Sequence, residues 1–153
     1  MPKENLLPYF LRLLEYNFWS NDQLIKSLQN QSELKENTIE SMNQLLENHR
    51  SWIVNHANRG TLDSMWAVMD PSSWEAQNVE LYNESTDILK TTTLHKIIKF
   101  KTNTFESECS VEESTQYLIF NCEVLRNQLI RHMKQSQIIV PPCDFLYYCK
   151  SYL

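Results

Sequence analysis

A chain of 153 residues with 42% apolar side chains has the material for one domain with its own core, without disulfides or metals as staples. Its single glycine argues for helices, because hairpins and tight turns consume glycine, and it excludes a glycine-rich phosphate loop. A net charge of −5 removes the cationic footprint of a nucleic-acid binder and disfavours anionic membranes.

No window reaches the roughly eighteen apolar residues of a membrane span. The opening "MPKENLLPYF" has neither the apolar run nor the small-residue cleavage site of a secretory leader. A cytoplasmic protein is therefore expected, with no membrane and no nucleic acid among its partners. Cys109, Cys122, Cys143 and Cys149 form no C-x-x-C pair and are expected to be free thiols.

The first predicted helix runs over 4–29. Leu7, Phe10, Leu14, Asn17, Leu24 and Leu28 recur at the spacing of one helical face, and Pro8 sits in the first turn. The polar "NQSELKENT" reads as a loop. Thr38 is expected to open a second helix whose apolar face is Met42, Leu45, Leu46, His49, Trp52, Ile53 and His56, with Gly60 as its left-handed cap. Residues 61–70 form a crossover carrying Met65 and Trp66.

Asp70 followed by Pro71 predicts an N-cap and a third helix over 71–90, with Trp74, Leu81, Ile88 and Leu89 inward. Ile98, Phe100 and Thr102 alternate with Lys99 and Lys101, which predicts a short extended segment or loose hairpin around Asn103. Ser110 and Glu113 form a capping box for a fourth helix over 111–135. Its expected inward stripe is Ser114, Tyr117, Leu118, Asn121, Leu125, Gln128 and His132. Pro141 and Pro142 stop the chain from continuing as helix. The aromatic tail is expected to dock, with Asp144 capping a last turn. The result is an all-α four-helix bundle in one domain, 1–153, with a long crossover and a short extended segment before the last long helix.

Several residues have the chemistry of a site. His49 and His56 lie seven apart on one face and, with His132, offer imidazoles for a metal. The bland reading, buried histidines hydrogen-bonded in a polar pocket, is preferred, because no H-E-x-x-H and no carboxylate–histidine pair accompanies them. Cys122 has Arg126 four residues on, as a reactive thiolate would need, but a structural cysteine in mid-helix is the preferred reading. Glu123 is expected to point into solvent. Trp19, Trp52, Trp66 and Trp74 are expected in the core, with a pocket between helices, lined with Tyr117, as the functional alternative.

Four stretches carry a resemblance: "YNFWSNDQLIKSL", "SMNQLLENHRSWIVNHANR", "LHKIIKFKTNTFESE" and "NCEVLRNQLIRHM" followed by "PPCDFLYY". In order and spacing the chain resembles the DinB/YfiT-like superfamily over nearly its whole length. That resemblance implies a bundle with an up-down-down-up path, often dimeric. Many members bind zinc or nickel through three histidines, and some use the ion to activate a small thiol for transfer. The three ligand positions correspond here to Gln44, Asn121 and Leu125, and the Arg-Gly-Gln that follows has become Arg126, Asn127 and Gln128.

Amide oxygens suit hard cations and leucine offers no donor, so the family's metal is not expected here, nor any other resident cofactor. What remains is a degenerate metal site whose polar cavity, lined by His49, Trp52, Tyr117, Gln128 and His132, holds a small-molecule ligand, in a non-catalytic binding or interaction protein. The alternative is a metal-dependent thiol transferase or hydrolase that uses displaced ligands, His49 or His132. A homodimer through the tail aromatics is a third reading.

Overall fold

The computed structural model describes residues 5–57, 70–102 and 104–151. Among them are five helices and one two-stranded antiparallel sheet: α1 (Leu7–Gln29), α2 (Glu36–Ala57), α3 (Trp74–Thr91), β1 (Ile97–Lys101), β2 (Glu106–Ser110), α4 (Val111–Gln135) and α5 (Phe145–Ser151). The expected cap at Gly60, the crossover residues Met65 and Trp66, and Asn103 lie outside the described residues. No described helix is long and apolar enough to cross a membrane.

α1 starts at Leu7 rather than residue 4. The Leu7 amide donates to Asn5 Oδ1 at 3.1 Å, with Pro8 in the first turn where its missing N–H costs nothing. Its buried face holds Phe10, Leu14, Asn17, Leu24 and Leu28 as expected, and also Ser20 and Asn21. α2 begins two residues before Thr38. The Thr38 amide already donates to Lys35 O at 3.0 Å, so this threonine is buried inside the first turn instead of capping it.

Asp70 does cap: its Oδ1 accepts from the Ser72 amide at 2.9 Å. Pro71–Ser73 form a 3₁₀ turn before α3 proper begins at Trp74, whose indole N–H reaches Asn43 Oδ1 at 2.8 Å.

α1 packs on α3 and α4, and α2 packs on α3 and α4. The core they enclose includes Phe10, Leu14, Leu24, Met42, Leu45, Trp52, Trp74, Leu81, Leu118 and Leu129. Each fully buried side chain of this size contributes about 1.5–3 kcal/mol.

The hairpin pairs Ile97 with Ser110, Phe100 with Ser107 and Lys101 with Glu106, turning only Phe100 fully into the core. Ser110 ends β2 and caps α4 at once: its hydroxyl accepts from the Glu113 amide at 3.1 Å while Glu113 reaches back to the Ser110 amide at 3.1 Å. The hairpin is tied to α2 by one side chain. Asn55 donates to Lys101 O and accepts from Lys101 N, both at 2.9 Å, standing in for a neighbouring strand.

α4 is turned relative to expectation. Its buried residues are Val111, Ser114, Thr115, Leu118, Cys122, Arg126, Leu129 and Met133. Asn121 and Leu125 are only half-buried, and Gln128 is exposed. Ser114 and Leu118 are buried as expected, but from Asn121 onward the inward positions fall one residue later than the expected stripe. Two forces set it. The displaced face offers Val111, Leu129 and Met133 to the core, and Arg126 finds acceptors waiting on α1.

Arg126 is 2% exposed. Its Nη1 donates to Asn17 Oδ1 at 2.6 Å and Asn21 Oδ1 at 2.7 Å, and its Nη2 meets Glu123 Oε1 at 2.7 Å. The guanidinium lies 5.4 Å from the centre of the Tyr16 ring. Asn21 passes the connection to α3 through Asn78 Oδ1 at 3.3 Å, and Asn78 donates to Phe18 O at 3.0 Å. Glu123 keeps a side chain 40% exposed, as expected, and at the same time pairs with the buried cation.

The tail docks on α1 as expected, and Asp144 Oδ1 caps the last helix by accepting from the Tyr147 amide at 2.8 Å. Ser20 Oγ donates to Cys143 O at 2.6 Å, and the Tyr148 ring sits 5.7 Å from Tyr16.

Arg126→Ala leaves the buried Asn17 and Asn21 amide oxygens without their donor. It is expected to cost about 1–3 kcal/mol in urea unfolding at neutral pH. Arg126→Lys does not restore it, since one ammonium lacks the fork that spans both helices. A loss under about 1 kcal/mol from Arg126→Ala refutes the network's structural role.

Candidate functional site

A cleft of about 410 Å³ opens between α2, the hairpin and α4. That volume falls within the range of small-molecule sites. From α2 come Gln44, Glu47, Asn48, Ser51 and Trp52. The hairpin supplies Phe100, Thr102 and Thr104, and α4 supplies Tyr117 and Leu118. Gln44, Glu47 and Ser51 follow one another at steps of three and four, so they form a single polar stripe along α2. Phe100 is in place because Asn55 clasps the backbone of its neighbour Lys101.

The floor is aromatic and nearly dry. Trp52 is 1% exposed, and His56 lies 4.2 Å from its ring centre. Tyr117 meets Phe100 edge-on at 5.6 Å and Phe105 at 5.9 Å. Some polar liners are committed to the protein. Asn48 Oδ1 accepts from Asn121 at 3.1 Å and its amide nitrogen points at Cys122 Sγ at 3.6 Å, while the Thr102 and Thr104 hydroxyls pair at 3.2 Å.

The sequence-derived candidates separate in space. Gln44, Trp52 and Tyr117 meet in the cleft. Asn121 touches it through Asn48. Leu125 packs against the core and Gln128 faces solvent, and neither lines the cleft. His132 pairs with Asn37 at 3.2 Å, near the start of α2. His49 faces α3, where its Nε2 lies 2.5 Å from Ser85 Oγ. Twelve residues of α2 separate Asn37 from His49, about 18 Å of helix, so His49 and His132 do not share a site.

Gln44, Asn121 and Leu125, the positions singled out by the resemblance, do not fit a zinc or nickel ion. The Gln44 side chain is exposed, the Asn121 amide is spent on Asn48, and Leu125 has no donor atom. Among the described residues, no three His, Cys, Asp or Glu side chains come together as a ligand set.

His49 and His56 are not general bases toward their serines. Ser85 Oγ donates to Leu81 O at 2.7 Å and Ser114 Oγ to Val111 O at 2.9 Å, so each hydroxyl is left to accept from the imidazole Nε2–H. Burial pushes the His49 ring down to about 3 and the His56 ring down to about 4, with Arg50 beside the first and Lys96 beside the second adding to the effect. Both are neutral clasps, one to α3 and one to α4. Burial likewise raises the Cys122 thiol to about 11, only partly opposed by Arg126, so it is not an activated nucleophile.

Glu47, Asn48, Ser51, Phe100, Thr102 and Thr104 were not among the sequence-derived candidates. The α2 members carried a readable signal, a polar stripe at helical spacing beside an apolar face. The hairpin members carried none, because their place depends on the distant contact with Asn55.

The histidines set a pH dependence. Each stays neutral in the fold but takes up a proton in the unfolded chain below its ordinary value of 6.5. Their contribution is therefore complete above about 6.5 and is lost as pH falls toward about 4 for His56 and about 3 for His49. Urea midpoints measured from pH 7 to pH 4 should fall in the native protein. The slope is expected to flatten in His49→Gln and His56→Gln, and an unchanged slope in both variants would sink this assignment.

Comparison with protein-family models, with curated proteins and with solved structures gave no match to this chain.

Proposed function

We propose that this chain is a DinB-like four-helix bundle with a degenerate metal site, acting as a non-catalytic binder of a small molecule in the cleft between α2, α4 and the hairpin. The bundle path is supported by the direction of the helix contacts. Gln29 meets Pro71 and Phe18 meets Tyr82, so α1 and α3 run oppositely. Asn37 meets His132 and His56 meets Ser114, so α2 and α4 run oppositely. Asn43 meets Trp74 and His49 meets Ser85, as two helices running the same way would require. These contacts favour an up-down-down-up order.

The observation that carries the binding reading is the inventory of the cleft. Gln44, Glu47, Ser51 and Tyr117 line it, and among the described residues their side chains make no hydrogen bond to protein, although Trp52, Phe100 and Leu118 give it an apolar floor. A few convergent polar groups over an apolar base is the usual make-up of a ligand site. The displaced-ligand enzyme gains no support from histidines engaged by Ser85, Ser114 and Asn37 in three separate places.

A cytoplasmic location agrees with four cysteines that are all free. A partner that is neither nucleic acid nor membrane agrees with the net charge of −5. A homodimer would draw on Phe145, Leu146 and Tyr147, which are exposed on the docked tail. In gel filtration Leu146→Asp is then expected to shift a dimer to a monomer, and a native protein that already elutes as a monomer removes that part of the proposal.

Ligand-observed NMR with a fragment library tests the cleft. Hits are expected for the native protein and for Gln128→Trp, on an exposed position away from the cleft, and to be lost in Ser51→Trp. Hits that survive Ser51→Trp overturn the site. Elemental analysis of untagged protein tests the enzyme alternative. Stoichiometric zinc or nickel that disappears in His49→Ala or His132→Ala would replace the binder with a metalloenzyme.

A further inference from the structure

The cleft has a chemical bias that narrows what it holds. Among the described residues that line it, Glu47 is the one charged side chain, with no Lys, Arg or His beside it. Among the described residues Glu47 has no ion-pair partner. Partial burial raises its carboxyl above the ordinary range. Glu47 is an exposed liner of the cleft, and a cation bound beside it would favour its charged form. The molecule's net charge of −5 acts in the same direction, drawing cations and repelling anions.

The other uncommitted groups surround that carboxylate. Gln44 is three residues before it and Ser51 is four residues after it, on the same stripe of α2. Tyr117 faces them from α4, with its ring fixed edge-on against Phe100 and Phe105. Below lie Trp52, Phe100 and Leu118, which are apolar and buried.

Resting on the cleft being the ligand site, we propose that its ligand is a small organic cation, an amine carried on a flat apolar body. Glu47 holds the ammonium. Gln44, Ser51 and Tyr117 take its polar substituents, and the apolar floor seats the body. Anionic ligands are excluded by Glu47, and neutral isosteres forfeit the charge-assisted hydrogen bond.

The test uses three probes of nearly one shape: tyramine (cationic), tyrosol (neutral) and 4-hydroxyphenylacetate (anionic). Each is titrated into the whole protein and followed by the backbone amide signals of Ser51 and Thr102. Tyramine is expected to move these signals and to bind roughly tenfold tighter than tyrosol, with the acid weaker still. In Glu47→Gln, tyramine should fall to the level of tyrosol. Equal affinity for tyramine and tyrosol, or tyramine binding untouched by Glu47→Gln, overturns the cation and leaves the cleft standing. No shift with any probe also overturns the proposal. The fragment screen against Ser51→Trp then decides separately whether the cleft binds anything.

Discussion

A guanidinium with 2% exposure dictates much of this molecule. Moving an arginine out of water costs several kcal/mol unless its donors are met, so the burial of Arg126 requires Asn17, Asn21 and Glu123 to stand where they do. Those partners fix the rotation of α4 against α1, and Asn78 extends the same constraint to α3. The rotation then decides what α4 shows elsewhere. Cys122 is turned inward, Asn121 is turned to its flank against Asn48, and Tyr117 is left at the edge of the cleft. A polar knot on one side of the bundle thereby shapes the candidate ligand site on the other.

α2 is the element that joins the two sides. Its apolar and histidine face reaches α3 through His49 and α4 through His56, with Trp52 packed between the two rings. Its polar flank, one turn of the wheel away, supplies half the cleft. Asn55 then recruits the hairpin by imitating a strand. A helix that carries core, clasps and ligand groups on adjacent faces has little freedom to move without losing one of them.

The fold was largely readable from local rules. Proline and aspartate at Asp70–Pro71, the capping box at Ser110–Glu113 and the apolar steps of α1 and α2 all act within a few residues, and each has the structural consequence that local chemistry assigns to it. The second half of α4 departs from the sequence reading because its two candidate faces differ by one residue, and the choice between them rests on Arg126, whose acceptors on α1 lie more than a hundred positions earlier. Periodicity weighs apolar side chains and discounts a charged one, so it favoured Leu125 over Arg126 for the interior. The same blindness hid Glu123's role. For the cleft, Gln44, Trp52 and Tyr117 are visible in the sequence as polar or aromatic residues of α2 and α4, whereas Thr102 and Thr104 acquire meaning only once Asn55 has brought the hairpin onto α2.

Past α4, Gln137 takes a φ of 59°, a left-handed turn that glycine would enter freely. The turn lets the Ile138 amide reach back to Met133 O at 2.9 Å and aims the following segment down α1, where Ser27 meets Ile139 O and Ser20 meets Cys143 O. A strained corner is thus held shut by what lies beyond it. Release of the aromatic tail and relaxation of this corner are one event, so the C-terminal segment should come away from α1 as a unit rather than fray residue by residue.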